Sequence, residues 1–340
     1  MQTSKTVVLL VKNNVVNPLV QNSVLALLKT YPEIQTEEVT HPEYKEFETM
    51  TSKDDVTVVM TISNQCEIDI IMKECKNIKW CHCYTTGSER ILSNDSFRKS
   101  SITLTVSRGI SAIGLSEFTI GAMIYFSRKY REWDKLQNES TWGSLYATDI
   151  SRKKVTVVGY GQIGSKIGRI CKECFEMDVV GVKNSVDEVS YKKHPEVEKF
   201  YKLDELIKAC EDADFIVAVL PGIKETLDVF NMEVFKKFKK SAVFINVGRG
   251  YCVAEDDLIQ ALKEGCFAGA ALDVFKTEPL PSTSPFYTEK EIQDKLLISC
   301  HKAAHSEAIA VESVKITKAY VEAYLAKQPF EEVVDKEKGY

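Results

Sequence analysis

The sequence has no excess of basic residues, and this excludes one broad class of partner. Its 340 residues contain 44 Lys and Arg against 49 Asp and Glu, a formal net charge of -5 at pH 7. Proteins that grip nucleic acid or an anionic membrane surface usually depend on clustered positive charge. We therefore expect neither a nucleic-acid partner nor a membrane partner.

Long hydrophobic runs are also missing. A transmembrane helix needs about 20 consecutive apolar residues, and no stretch of the sequence approaches that length. The apolar run Val7–Val11 near the amino terminus is too short for a secretion signal and is typical of a first strand. The sequence therefore predicts a soluble, cytoplasmic protein.

The ten cysteines do not form a disulfide framework or a zinc pattern. Secreted frameworks are typical of small, loop-rich chains, whereas these cysteines are scattered along the whole sequence. Cys171 and Cys174 form an isolated CxxC, and Cys81 and Cys83 form an isolated CxC. Neither has the second ligand pair of a zinc site, so we interpret them as structural thiols and predict no metal.

The length of the chain and its alternating pattern predict two α/β domains. In the second half, short apolar β-branched runs alternate with helical patterns, as in a parallel sheet covered by helices on both faces. The strands predicted there are Val155–Tyr160, Asp178–Lys183, Phe215–Leu220, Ala242–Val247, Ala268–Val274 and Leu296–Cys300. The first half repeats the pattern more weakly, with strands predicted at Thr6–Val11, Ile34–Val39, Val56–Ile62, Ile78–Tyr84 and Ile102–Val106.

Two helical patterns predict how the domains are divided. One runs from Ser116, which is placed to cap its first turn, to Trp133, and the other covers Ser306–Ala326. We expect the second helix to pack back onto the first domain. The predicted fold class is α/β, with a Rossmann doubly wound parallel-sheet nucleotide domain at 114–306. A smaller flavodoxin-like substrate domain is predicted at 1–113 plus 307–340.

The strongest local motif is a glycine pattern that closes a predicted strand and opens a predicted helix. Its residues are Gly159, Tyr160, Gly161, Gln162, Ile163 and Gly164. In a dinucleotide site the first glycine permits a tight turn, the second lets the backbone approach a pyrophosphate, and the third lets helix and strand pack closely. The alternative is an ordinary turn without a ligand, but the strand-to-helix context favours a dinucleotide.

The end of the next predicted strand bears on which dinucleotide is bound. NAD sites usually place Asp or Glu there to accept hydrogen bonds from the ribose 2′-OH, but this chain has Lys183, Asn184 and Ser185. A lysine suits the 2′-phosphate of NADP, so we predict NADP as the preferred cofactor and NAD as the alternative. A solvated lysine without selectivity is the other interpretation.

Three charged side chains follow predicted strands, where ligands bind in open α/β sheets. They are Arg249, Glu278 and His301, and each alone is compatible with an ordinary loop role. Together they supply what reduction of a 2-oxo acid needs. The histidine titrates in the range suited to proton transfer, the carboxylate orients it and stabilises its charged form, and the arginine holds a substrate carboxylate.

At these residues the chain closely resembles the D-isomer-specific 2-hydroxyacid dehydrogenase family, which includes glyoxylate/hydroxypyruvate reductases and phosphoglycerate dehydrogenases. The resemblance is carried by GYGQIG, VLPGIKETLDVFN, INVGRGYCVAEDDLIQALKEGCFAGAALDVFKTEPLP and LLISCHKAAHS, in that order. It is strong over about 150–306 and faint before that. It implies that Arg249 binds substrate, that Glu278 orients the acid/base and that His301 donates the proton.

The resemblance also implies a wider set of site residues and a homodimer built through the helix after Ser116. Positions that line the nicotinamide side correspond to Leu220, Pro221, Val247, Gly248 and Asp273. Before the glycine motif, a loop that holds the substrate carboxylate by its N–H groups corresponds to Thr85, Thr86, Gly87 and Ser88, and Ser116-Glu117 is similar to the Ala-Glu helix start of the family.

The sequence departs from the family pattern beside the proposed acid/base. Cys300 replaces the usual proline before His301, and Lys302 replaces the usual apolar or small polar residue after it. These changes put the loop geometry and the substrate charge preference in question. His305 is the competing candidate for the acid/base, and we prefer His301 because it directly ends the predicted strand.

Two other functions compete with reduction of a 2-oxo acid. One is a non-enzymatic, nucleotide-sensing scaffold on the same fold, like the corepressors that resemble this family. The other is a formate or phosphite dehydrogenase, which shares much of the same machinery. Because a fold does not determine a function, the complete set of Arg249, Glu278 and His301 is what favours catalysis.

Overall fold

The computed structural model describes residues 5–13, 18–61, 67–85 and 87–337, and the chain divides into two compact units. Unit 1 comprises Met1–Ser111 and Ser306–Tyr340, and unit 2 comprises Ala112–His305. The strands are β1 (Thr6–Asn13), β2 (Ile34–His41), β3 (Val56–Thr61), β4 (Trp80–Cys83), β5 (Thr103–Val106), β6 (Lys154–Val158), β7 (Asp178–Val182), β8 (Lys199–Tyr201), β9 (Phe215–Ala218), β10 (Val243–Asn246), β11 (Gly269–Leu272) and β12 (Leu296–Ile298).

The helices lie between these strands and after the last of them. They are α1 (Pro18–Leu28), α2 (Ile68–Glu74), α3 (Glu89–Leu92), α4 (Asp95–Arg98), α5 (Ala112–Ser127), α6 (Tyr130–Asn138), α7 (Gln162–Phe175), α8 (Glu188–Lys193), α9 (Leu206–Cys210), α10 (Met232–Phe235), α11 (Glu255–Lys263), α12 (Pro285–Thr288), α13 (Lys290–Gln293) and α14 (Ala308–Leu325). Short 3-10 turns lie at Lys45–Glu48, Lys53–Asp55, Leu203–Glu205, Lys224–Thr226 and Gly250–Cys252.

Unit 1 is built on a parallel sheet with the strand order β2-β1-β3-β4-β5. This is the flavodoxin-like order, so the smaller α/β domain expected from the sequence is confirmed. Neighbouring residues of β1 enter the apolar cores on opposite faces of the sheet, Leu9 on one face and Leu10 on the other. On the second of these faces α14 packs against α1, so the last helix belongs to the unit formed by the first hundred residues.

Unit 2 is built on a larger parallel sheet with the order β12-β11-β10-β9-β6-β7-β8. Its first strand, β6, lies in the middle, with β7 on one side and β9 on the other. This is the doubly wound Rossmann order, in which ligands bind beyond the carboxyl ends of the strands where the order reverses. The Rossmann fold expected from the sequence is therefore confirmed.

The inner strands of unit 2 are buried on both faces, which explains their unbroken apolar sequences. Along β10, Phe244 lies in one core and Ile245 in the other, and along β9 the same holds for Ile216 and Val217. On the first face Phe244 packs among several phenylalanine rings. Burial of large apolar side chains of this kind supplies most of the stability of such a sheet.

Three details differ from the sequence prediction. Ser116 does not cap a helix, because α5 already begins at Ala112; its Oγ donates to the carbonyl of Ala112 at 2.5 Å inside the helix. The expected single helix to Trp133 is two helices, since Lys129 between them has a left-handed φ of 55°. The short strand β8 was not predicted. The predicted strand end at Ile62 lies outside the described residues.

The part of the chain that the structure describes contains neither a helix able to span a membrane nor a cluster of metal-binding side chains. None of its helices combines the length and apolar character needed to cross a membrane. The same residues contain no group of three or more His, Cys, Asp or Glu side chains placed to hold a metal ion. Cys171 and Cys174 are both free thiols, and Cys81 and Cys83 are buried in the core of unit 1.

Candidate active site

The three charged residues singled out in the sequence follow three adjacent strands of unit 2. Arg249 follows β10, Glu278 follows β11 and His301 follows β12, and these strands are neighbours in the sheet. Because all of them are parallel, their carboxyl ends lie at one edge. The loops that carry the three side chains therefore begin at the same edge of the sheet.

The imidazole of His301 and the carboxylate of Glu278 are in direct contact. The Nδ1 atom of His301 lies 2.6 Å from Oε2 of Glu278. The other carboxylate oxygen, Oε1, accepts a hydrogen bond from the backbone N–H of Phe275 at 2.9 Å. Glu278 is thus held on one side by its own loop and presents its second oxygen to the histidine.

This contact shifts the pKa values of both groups toward the charged pair. The hydrogen bond to Glu278 raises the pKa of His301 and outweighs burial and the charge of Arg249, which act in the opposite direction. Burial would raise the pKa of Glu278, but hydrogen bonds from His301 and Phe275, with the charges of His301 and Arg249, hold that pKa below its usual value. An imidazolium facing a carboxylate is therefore favoured.

The backbone at His301 is turned sharply and is held by Asp273. Both Cys300 and His301 have left-handed φ values of 55°, and the N–H of His301 donates to the carbonyl of Asp273 at 2.6 Å. The carboxylate of Asp273 is buried and accepts from Ser299 Oγ at 2.7 Å and from Ala303 N at 3.0 Å. These three bonds fix the direction in which the strand end presents its imidazole.

The sequence expectation for Asp273 was a position on the nicotinamide side, and that assignment stays a prediction. The hydrogen bonds around it are a role that sequence reasoning missed, because they involve backbone groups some 30 residues away along the chain.

His305, the competing histidine, lies in a different environment, where burial and then the charge of Lys302 lower its pKa. Glu278 pairs with His301.

Arg249 is placed by a buried asparagine at the end of β10. Asn246 donates through Nδ2 to the carbonyl of Arg249 at 3.1 Å, and its Oδ1 accepts from the N–H of Gly248 at 3.1 Å. Nη1 of Arg249 donates to the carbonyl of Gly248 at 2.9 Å. The charge of the guanidinium lowers the pKa values of both Glu278 and His301, so the three groups are electrostatically connected.

The loop after Arg249 lies directly against the loop that carries Glu278. A Cβ atom on Gly250 would stand only 2.0 Å from the carbonyl carbon of Phe275 and 2.5 Å from the nitrogen of Lys276. Only glycine permits such an approach of two backbones. Sequence reasoning did not identify Gly250, although its place directly after Arg249 is a signal that could have done so.

The glycine motif has the geometry that a dinucleotide requires. Gly159 has a φ of 100°, and a Cβ there would lie 2.4 Å from the carbonyl oxygen of Val219. A Cβ on Gly164 would lie 2.2 Å from the carbonyl oxygen of Gly159. Packing within the protein therefore explains the first and third glycines.

Gly161 differs, because among the described residues no atom beyond its two chain neighbours lies within 4 Å of the position of its Cβ. It caps the amino end of α7, which begins at Gln162 and continues through Ile163. The N–H groups at the start of a helix attract phosphate, and the absence of a side chain at Gly161 leaves room for it. The motif therefore fits the pyrophosphate of a dinucleotide.

The loop after β7 contains a carboxylate that sequence reasoning passed over. Nζ of Lys183 lies 3.3 Å from Oγ of Ser190, and Ser190 donates to Asp187 from both its N–H and its hydroxyl, at 2.8 and 2.7 Å. These hydrogen bonds, together with the charge of Lys183, lower the pKa of Asp187. Asn184 is exposed. The strand end therefore presents a lysine with an acidic neighbour four residues on.

The remaining predicted positions divide between the two units. In unit 2, a Cβ on Gly248 would lie 2.7 Å from the backbone nitrogen and oxygen of Leu220. The loops at Leu220 and Val247–Gly248 are therefore in close contact. Pro221 is exposed. In unit 1, Gly87 and Ser88 are buried after β4, where Oγ1 of Thr85 donates to the carbonyl of Gly87 at 3.2 Å. Thr86 lies outside the described residues.

Two proteins with matching sequences are named as reductases. A probable 2-ketogluconate reductase from Dictyostelium discoideum is 37% identical over 181 residues, which are 51% of this chain and 52% of that protein. Glyoxylate/hydroxypyruvate reductase A from Escherichia fergusonii is 30% identical over 230 residues, 66% of this chain and 69% of that protein. The chain thus matches about half the length of the first and about two thirds of the second.

Solved structures share the fold over nearly the whole chain. A D-isomer specific 2-hydroxyacid dehydrogenase from Xanthobacter autotrophicus Py2, in complex with NADPH and MES, aligns with a TM-score of 0.83 at 22% identity, covering 99% of this chain and 100% of that chain. An NADPH-dependent glyoxylate/hydroxypyruvate reductase from Sinorhizobium meliloti aligns with a TM-score of 0.80 at 22% identity, with the same coverage.

The sequence profile of one family matches more than half of the chain. It is described as "D-isomer specific 2-hydroxyacid dehydrogenase, NAD binding domain" and matches residues 120–303, which include the glycine motif, Arg249, Glu278 and His301. The chain therefore belongs to the D-isomer specific 2-hydroxyacid dehydrogenase family, a family of NAD(P)-dependent oxidoreductases, as the resemblance seen in the sequence predicted.

Proposed function

We propose that this protein reduces small 2-oxo acids of the glyoxylate or hydroxypyruvate type to D-2-hydroxy acids with NAD(P)H. In this proposal His301 donates the proton, Glu278 orients the imidazole of His301, and Arg249 binds the substrate carboxylate. The observation that carries the proposal is the 2.6 Å contact between His301 Nδ1 and Glu278 Oε2. Relatives named as glyoxylate/hydroxypyruvate and 2-ketogluconate reductases support the substrate class.

The direction of the imidazole follows from that contact. A protonated His301 uses its Nδ1–H to bond Glu278, so its Nε2–H is the donor left for the carbonyl oxygen of a substrate. A dinucleotide held at the glycine motif Gly159–Gly164 would supply the hydride for the carbonyl carbon. Because Glu278 raises the pKa of His301, the imidazole holds its proton at a higher pH than an ordinary histidine does, as a general acid for reduction must.

Arg249 suits the binding of a carboxylate beside this acid. A guanidinium forms forked, charge-assisted hydrogen bonds with a carboxylate group, which fixes the orientation of a 2-oxo acid as well as its position. The electrostatic influence of Arg249 on both Glu278 and His301 supports a location near the acid/base.

Turnover is the direct test of the function. Purified protein should oxidise NADPH or NADH in the presence of glyoxylate, hydroxypyruvate or pyruvate, and His301→Asn should lower kcat by about a hundredfold to ten thousandfold with little change in dinucleotide affinity. His305→Asn is the matched control and should stay near wild type. Tight dinucleotide binding without turnover would favour the nucleotide-sensing scaffold. Turnover of formate or phosphite alone would favour a formate or phosphite dehydrogenase.

The second and third glycines of the motif should respond differently to substitution by alanine. Gly161→Ala places its methyl group in open space and should cost about 1 kcal/mol of stability or less as a helix cap, yet it should weaken dinucleotide binding because the methyl occupies the phosphate position. Gly164→Ala clashes with the carbonyl of Gly159 and should cost about 1–3 kcal/mol. Urea unfolding and titration of protein fluorescence with NADPH measure both effects. Unchanged affinity in Gly161→Ala would remove the cofactor site from this motif.

For the cofactor we propose a preference for NADP, carried by Lys183. Its ammonium lies at the strand end, 3.3 Å from Ser190 Oγ, and a 2′-phosphate would replace that weak contact with a charge-assisted one. Lys183→Ala should raise KM for NADPH about tenfold to a hundredfold and leave KM for NADH nearly unchanged. Asp187→Asn is the paired variant and should favour NADPH further. Equal KM changes for both cofactors in Lys183→Ala would reject the preference.

The homodimer expected from the resemblance also stays a proposal. Support comes from large aromatic side chains exposed on α6 and the segment after it, which are Tyr130, Trp133, Trp142 and Tyr146. Sedimentation velocity measures the oligomeric state, and a monomer at micromolar concentration would contradict the proposal.

A further inference from the structure

A second carboxylate lies behind the loop that carries Glu278. Glu255 is the first residue of α11 and is about half-buried. Its Oε1 accepts a hydrogen bond of 2.7 Å from the backbone N–H of Lys276, two residues before Glu278. This bond joins a helix that follows β10 to the loop that follows β11.

We propose that Glu255 is a positioning residue for the acid/base pair, because its bond to Lys276 fixes the loop from which Glu278 reaches His301. This inference rests on the proposed function only for its effect on turnover. Its effect on the titration of His301 is independent of any substrate.

Two consecutive N–H groups of this loop are held by two different carboxylates. The N–H of Phe275 donates to Glu278 at 2.9 Å, and the N–H of Lys276 donates to Glu255 at 2.7 Å. The same two residues rest on Gly250, where there is no space for a side chain. The bond from Phe275 to Glu278 lies within the loop, whereas the bond from Lys276 to Glu255 joins the loop to α11. Glu255 therefore anchors the loop to the rest of unit 2.

The side chain of Lys276 provides a further anchor. Its Nζ lies 2.6 Å from Oδ1 of Asp228, and the N–H of Asp228 donates to the carbonyl of Tyr251 at 2.9 Å. Tyr251 belongs to the 3-10 turn directly after Arg249. Lys276 therefore holds the loop of Glu278 at two points. Its backbone N–H bonds Glu255, and its ammonium pairs with Asp228, which bonds the segment that follows Arg249.

The electrostatics of Glu255 show that its carboxylate is kept at a cost. Burial raises its pKa, the N–H and charge of Lys276 lower it, and the charges of Asp256 and Asp228 raise it again. A partly buried carboxylate near other negative charges is destabilising unless its oxygens accept hydrogen bonds. Here the N–H of Lys276, in the loop that carries Glu278, donates that hydrogen bond.

The first turn of α11 also provides a matched control. It contains three acidic residues, Glu255, Asp256 and Asp257. Asp257 accepts from the N–H of Met232 at 2.9 Å, a contact that holds α10, whereas Asp256 is exposed. Replacing Asp256 removes the same charge from the same helix end without touching the loop of Glu278.

The test is the pKa of His301, measured by NMR and assigned by the signal that His301→Asn removes. In Glu255→Ala that pKa should fall toward the ordinary value of about 6.5, in the direction of the fall expected for Glu278→Gln. The same variant should lower kcat by about tenfold to a hundredfold, with KM for the dinucleotide within about twofold. Glu255→Gln retains an oxygen acceptor and should stay near wild type, as should Asp256→Ala.

The outcomes separate this inference from the proposed function. If wild type has no turnover with any 2-oxo acid, the function fails, and the pKa of His301 in the variants still decides the role of Glu255. If Glu255→Ala does not fold, Glu255→Asp, whose carboxylate is one methylene short of Lys276, takes its place. A wild-type pKa of His301 in either folded variant overturns the inference. So does an equal loss in Glu255→Gln, because then the charge and not the acceptor matters.

Discussion

The chemistry assigned to this protein depends on one hydrogen bond, between Nδ1 of His301 and Oε2 of Glu278. It orients the imidazole, stabilises the protonated ring and leaves Nε2 as the donor to the substrate in the reaction that we propose. The bond exists because two neighbouring strands end at the same edge of the sheet and because their loops are held from behind. Asp273 fixes the backbone at His301, and Phe275 with Glu255 fixes the loop of Glu278.

The parts of the fold and site that the sequence predicts are those governed by local patterns. Unbroken apolar runs such as that of β10 indicate strands buried on both faces, and the glycine motif marks the turn from β6 to α7 because Gly159 needs a positive φ. Charged residues directly after strands, such as Arg249 and His301, could be located at one edge of the sheet because parallel strands bring their ends together. These predictions need only residue type, period and order along the chain.

The parts that the sequence does not predict arise from contacts between distant segments. Ser116 has the residue type of a helix cap, but packing extends α5 back to Ala112, and the hydroxyl bonds within the helix instead. Asp187 was passed over because its proximity to Lys183 depends on the turn into α8. The bond from Lys276 to Glu255 spans 21 residues and joins a helix to a loop. No periodicity records such a contact.

The most direct measurement of the central claim is the dependence of kcat/KM on pH for reduction of a 2-oxo acid by the wild-type protein. Glu278 raises the pKa of His301, so the proton donor is present at low pH and is lost as pH rises through that raised pKa. We predict a kcat/KM that is constant at low pH and falls about tenfold per pH unit above a midpoint higher than the ~6.5 of an ordinary histidine. A rate independent of pH, or a midpoint below that value, would contradict it.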